Sequence, residues 1–357
     1  MLNLQVAGKF IDQPNLVRKL HKSMPVILVS GAAAYGIKDT LSAPKEKRTK
    51  KFIKNTMVLG STVASALIAV RGMTLGKIKI PGLVKTPEFT ASKAIDDFIS
   101  ANANKLKTET QKLLKKSKEN VLGFREIKKL KTDLEGTPEG KELFNRIIPP
   151  FKDLSGKEIA GEIGRLSLLG AIPVVGGVLG GTAACVATGE KGEKLKNCTK
   201  NKLNEGLYQY LANIVLCNVG AAGALGMMEI PKVKDFLKVK NINSKLVRIG
   251  AMLAGIAATG VIGGSAMANF IGKKVINPLF NKGVGKNQKG VSGNELKNLY
   301  SERRPEAIDV ALHSDDIATV GVMSGFKWIE PALPIMYSIS GYRAGMGYRN
   351  CKKKAEC

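Results

Sequence analysis

"LSLLGAIPVVGGVLGGTAACVATG", residues 166 to 189, runs for 24 positions without a charged side chain. A hydrocarbon core needs about 20 helical residues, so this stretch is long enough to cross one. Two more stretches share the property, Gly206 to Met228 and Ile249 to Gly272. The average conceals them, because 44% hydrophobic residues over 357 positions is ordinary for a water-soluble chain. It is the segregation of apolar from charged sequence that names the solvent.

Inside the opening stretch, "VVGGVLGGTAA" at 174 to 184 sets Gly176 four residues before Gly180 and Gly177 four before Gly181. Residues four apart stack on one side of a helix, so both pairs present a surface on which a second backbone can close in. Lipid tails are as apolar as leucine, and helices in a bilayer therefore associate through van der Waals proximity that small residues permit. Gly260 and Gly264 with Ala268, and Gly220 with Gly223 and Gly226, extend the same pattern to the next two segments. Packing within this chain is the expected use, with contact between copies in a homo-oligomer as the alternative. No strand-like alternation persists, and a bilayer admits only helices or closed barrels. The expected fold is all-α, a polytopic helical membrane bundle of about four to six apolar Gly-rich helices with an amphipathic basic helical insert.

The organisation follows outward from the apolar segments. Residues 1 to 22 are a polar, basic leader, and 23 to 72 an apolar hairpin built on Ser23 to Ile37 and Asn55 to Val70. Both apolar runs are short, so either a buried helix or a span completed by snorkelling lysines fits them. Residues 73 to 158 turn rich in Lys, Glu, Asp and Thr. There Ile95, Phe98, Ile99, Ala103 and Leu106, continued by Leu113 and Leu114, fall on one face at helical spacing, interrupted by Asn102. A second amphipathic helix is expected around Leu122 to Leu134, and a third from Pro138 until Pro149 and Pro150 stop it. Residues 159 to 348 hold the Gly-rich bundle, and 349 to 357 are a basic tail.

One apolar segment carries charge. In "GFKWIEPALP", residues 325 to 334, Lys327 and Glu330 sit within the run from Ile317 to Tyr342. The eight strongly apolar residues of that run contribute roughly 2.5–5 kcal/mol toward insertion, whereas one central lysine costs roughly 2.5–3.5 kcal/mol. Pro331 would free the carbonyl of Lys327 and Pro334 that of Glu330, so four polar groups need partners at one break. Lys327, Glu330, Pro331 and Pro334 are thus a candidate polar intramembrane site of the kind broken transporter helices use. The plainer expectation is a helix that ends near Glu330 with Trp328 at the interface.

The net charge of +27 is read as lysines flanking apolar segments at anionic lipid headgroups. Aromatic residues make up only 5%, with no zinc-finger or RNA-binding signature, so nucleic acid is not an expected partner. Asp309 and His313, four apart, with Asp316 beyond, offer mixed N and O donors for a metal. The reading adopted is that the aspartates start the following helix, with no metal and no cofactor. The five cysteines lack CxxC spacing and are taken as small buried hydrophobes rather than a disulfide framework. With no GxSxG, P-loop or HExxH, an enzyme has little to build on. The expectation is a non-catalytic, multi-pass integral membrane protein with a structural or interaction role. A transporter or channel for a small polar solute or ion centred on 317 to 342 is the runner-up, and a membrane-inserting effector a third reading. Lys and Arg fall in similar number on both sides of a six-span arrangement, so nothing orients it.

Overall fold

The computed structural model describes residues 10–75, 77–150, 156–239, 244–276, 278, 314–323 and 329–348. The elements with described bounds begin with α1 (Pro14–Leu41), a 3-10 turn (Lys45–Lys47), α2 (Arg48–Arg71) and a hairpin of β1 (Gly72–Leu75) and β2 (Ile78–Pro81). Four short helices follow, α3 (Ser92–Ala101), α4 (Thr108–Glu119), α5 (Phe124–Leu134) and α6 (Pro138–Ile147). Then come α7 (Gly156–Ala187), α8 (Gly192–Tyr210), a π turn (Leu211–Val215), α9 (Leu216–Met228) and α10 (Pro231–Val239). Next are α11 (Ser244–Ile256), a π turn (Ala257–Gly263), α12 (Gly264–Ile271) and a further π turn (Gly272–Ile276). The described chain closes with α13 (Ser314–Met323), a 3-10 turn (Glu330–Ala332) and α14 (Leu333–Met346). Two compact units result, the first from described residues within 1–27, 84–154 and 321–332, the second from those within 28–83, 155–320 and 333–357.

In the first unit the amphipathic helices turn their apolar faces toward one another. Ile95, Leu114, Ile127, Leu130, Leu134 and Phe144 form a core from which water is almost wholly excluded. The single amphipathic helix expected from Ile95 through Leu114 is corrected to two, α3 and α4. The break falls at Asn102, whose side-chain amide donates to the Phe98 carbonyl at 3.0 Å, competing with the backbone ladder. Thr137 caps α6 by accepting from the Gly140 N–H at 3.1 Å, with Pro138 in the first turn. The leader is tied in by side-chain amides. Gln13 donates to the Leu122 carbonyl at 2.9 Å and accepts from the Leu122 N–H at 2.7 Å, while Asn15 donates to the Ser117 carbonyl at 2.7 Å.

The second unit is a bundle built on α7. Helix α2 runs antiparallel to it and α14 parallel to it, as their facing residues show. Helix α8 returns antiparallel to α7, and α9 pairs antiparallel with α11. Asn55 of α2 ties α1 to the bundle by donating to Asp39 at 3.0 Å and Thr40 at 3.1 Å. Burial pushes the Asp39 carboxyl up, but hydrogen bonds from Lys51, Asn55 and Tyr342 outweigh it and hold the group below its ordinary value.

The two-stranded hairpin, with Gly72 opposite Pro81 and Leu75 opposite Ile78, departs from an all-helical fold; at four residues a strand is too short to leave a periodic signal. The described residues contain three helices long and apolar enough to cross a membrane, Lys45–Arg71, Glu158–Ala187 and Gly192–Met228, with a shorter apolar helix at Gly250–Gly260.

Candidate functional site

The doubled glycine motif of α7 serves two different neighbours. On one face, a Cβ at Gly176 would lie 2.7 Å from Ser65 Cβ, and one at Gly180 would lie 2.8 Å from Ser61 Cβ, both on α2. On the other, a Cβ at Gly181 would come within 2.8 Å of the Gly345 backbone, and Gly177 meets Gly341 in the same way. Ser61 with Ser65, and Gly341 with Gly345, are themselves four apart, so three helices interlock through small residues. Gly260 closes on Cys217 Sγ and Gly264 on Ala212, whose Cβ lies 2.7 Å from a Cβ built there. Gly223 and Gly226, grouped with Gly220 by their spacing, instead meet open space; only Gly220 packs, against Gly255 and Thr259.

The segment from 317 to 342 contains two helices rather than one. Helix α14 starts at Leu333, so Pro334 lies in its first turn, where a missing N–H costs nothing, and Pro331 lies in the preceding 3-10 turn. Glu330 is buried, and its Oε1 accepts the backbone N–H of Lys85 at 2.6 Å. Lys327 and Trp328 lie outside the described residues.

Asp309 and His313 likewise lie outside the described residues, while Asp316 belongs to α13. Among the described residues no three His, Cys, Asp or Glu side chains gather as a metal site. The cysteine reading needs correction, because Cys185 and Cys198 form a disulfide between α7 and α8. Their 13-residue separation carries no motif; the antiparallel turn at 188–191 brings the two helix ends to a Cα separation of 6.6 Å. Cys217 lies outside the disulfide, buried, with its thiol donating to the Ala212 carbonyl at 3.1 Å.

A polar track runs through the second unit where charge counting passed over it. Gln209 donates to Glu205 Oε1 at 2.8 Å, and Asn213 donates to Gln209 Oε1 at 2.8 Å, all three almost fully buried. Arg343 of α14 stands 3.8 Å from Glu205. The steps from Glu205 to Gln209 to Asn213 are four residues, and the next polar residue, Asn218, is five further on. The π turn at Leu211–Val215 absorbs the extra residue, and buried Asn218 reaches Ser167 of α7 at 3.2 Å. Thr259 donates to the Leu216 carbonyl at 2.6 Å, so this distorted stretch is also held from α11's side. The signal was available in sequence as Glu, Gln and Asn at spacing four. A search for charges misses it, because Glu205 lies one residue before the uncharged stretch begins.

Chemically, this track is an acceptor and donor relay anchored by one carboxylate and one guanidinium. Asn213 Oδ1 is buried without a hydrogen-bond partner among the described residues. Comparison with protein families, with curated proteins and with solved structures finds no match to this chain.

Proposed function

We propose that the chain is a non-catalytic, multi-pass integral membrane protein with a structural or interaction role, its helices packed through small residues and its basic loops resting on anionic headgroups. The two sides of α7 carry this reading. One side closes on Ser61, Ser65, Gly341 and Gly345, while Leu168, Val175, Leu179 and Val186 on the other stay about half exposed or more. In water such an apolar row is unfavourable; against lipid it is the expected outer surface. Alkaline carbonate extraction of membranes from cells making the full chain tests it. Retention in the pellet is the expected result, and release into the supernatant rejects the reading.

The buried Glu205, Gln209 and Asn213 track favours a second reading, passage of a small polar solute or ion. Ionisable groups inside a membrane bundle mark such paths by default. The track lies on α8 and the π turn, with Arg343 of α14 beside Glu205. Flux of a small ion across vesicles reconstituted with the wild-type chain, above that of protein-free vesicles, would favour transport over a structural role, and the absence of any flux would remove it.

A further inference from the structure

We infer that the second unit carries a binding site for a phosphate group bearing two or more negative charges, in a lysine-lined cavity beside the α7–α8 turn. The cavity has a volume of about 530 Å³. That is within the about 300–1,000 Å³ of small-ligand sites. Lys47 lines it from the 3-10 turn that leads into α2, Lys50, Lys51 and Lys54 from the start of α2, and Lys202 from α8. Counted from the cap residue Lys47, the four fall at i, i+3, i+4 and i+7, the spacing that stacks side chains on one helix face. Like charges at that spacing repel, so a bound anion gains from all of them at once and relieves their repulsion.

Among the described residues no carboxylate lines the cavity. Glu190 engages Lys50 at 3.4 Å and Asp39 engages Lys51 at 3.0 Å, each touching one lysine of the set. The floor consists of Gly181, Ala184 and Gly345, so the small residues that let α7 and α14 meet also leave space for an occupant. Lys202 donates to the Met346 carbonyl, which holds its ammonium over that floor. Lysine ammonium groups are compact, rotatable donors suited to phosphate as a point-charge partner. A cavity of this size accommodates one or two phosphate groups.

The apolar helix that begins at Lys45 starts at the cavity, which places these lysines at headgroup depth if that helix spans. Two sources therefore share the chemistry, a lipid phosphomonoester headgroup and a soluble pyrophosphate. The site deepens the proposed contact with anionic headgroups, and only its lipid source rests on the membrane reading, which carbonate extraction tests separately.

The full chain in detergent should be titrated with inorganic pyrophosphate by calorimetry, and its adducts with phosphatidic acid and phosphatidylcholine compared by native mass spectrometry. Pyrophosphate binding identifies a soluble source, and selective retention of phosphatidic acid a lipid one; either supports the site. In whichever arm binds, Lys47→Gln with Lys54→Gln should weaken binding about tenfold, whereas Lys112→Gln with Lys115→Gln, an equal charge change on exposed α4, should leave it unchanged. If the double variant does not fold, Lys47→Gln alone should weaken binding about threefold. Equal loss in the cavity and control variants, or no binding in either arm, overturns the proposal.

Discussion

Gly177 of α7 and Gly341 of α14 meet backbone to backbone. A Cβ on Gly177 would lie 2.5 Å from the Gly341 carbonyl carbon, and a Cβ on Gly341 would lie 2.7 Å from that of Pro173, one turn back along α7. No flexible side chain stands between them to move aside, so even a methyl group must push two helices apart. Gly181 and Gly345 repeat the contact one turn later. The parallel packing of α7 on α14 is therefore set by the absence of side chains along one seam.

Gly177→Ala should lower stability by about 1–3 kcal/mol, the usual cost of overpacking. Gly223→Ala supplies the internal control, since that position meets open space within a helix and alanine there should be neutral or stabilising by about 0.5–1 kcal/mol. Thermal unfolding of the two variants in one detergent separates the cases. Matching midpoints would mean that the seam is not closed as described.

Gln209 occupies the middle of the buried track, accepting from Asn213 and donating to Glu205. Gln209→Leu keeps the volume and removes both bonds, leaving a buried carboxylate and a buried amide each short of a partner. Each such loss costs about 1–3 kcal/mol, so the variant should unfold well before the wild type. Gln209→Glu should be worse, because it sets a second carboxylate beside Glu205. A Leu variant as stable as the wild type would show that Glu205 and Asn213 draw their partners from elsewhere.

The glycine pairs were legible in the sequence because their message is periodic and local. Spacing of four places Gly176 with Gly180 and Gly177 with Gly181 whatever the neighbours are, but says nothing of which helix answers each face. That Ser61 and Ser65 take one face, and Gly341 and Gly345 the other, depends on contacts across more than a hundred residues. Asn102 shows the opposite failure. Its interruption of an apolar face was visible, but propensity alone does not say that its side chain will take the Phe98 carbonyl and end the helix. Cys185 and Cys198 carried no spacing signal at all, since their pairing follows from the antiparallel return of α8.

Acidification should weaken the first unit through Glu126. Its carboxylate receives Lys116 Nζ at 2.7 and 2.9 Å and the Gly123 N–H at 2.7 Å, and the lysine hydrogen bond, followed by the backbone one, holds it below its ordinary value of 4.5. A carboxyl lowered by folding adds stability that is complete above its unfolded value and lost as pH falls through the folded one. The midpoint difference between the wild-type chain and Glu126→Gln should therefore hold steady above about pH 5 and shrink below it. Two curves that run parallel throughout would remove Glu126 as the origin.

The disulfide predicts both a chemical and a thermodynamic outcome. Digestion without reductant should release one linked pair of peptides containing Cys185 and Cys198, while buried Cys217 should alkylate only after unfolding. Closing a loop of this length stabilises by about 2–4 kcal/mol, so reduction or Cys198→Ser should lower the unfolding midpoint. The bond also bears on orientation, which lysine counting left open. Disulfides persist in oxidising compartments, so a high bonded fraction in cells assigns the α7–α8 turn, and the lysine-lined cavity beside it, to that side. Rapid alkylation of both thiols in untreated cells would reject the bond and restore the reading of Cys185 and Cys198 as small hydrophobes.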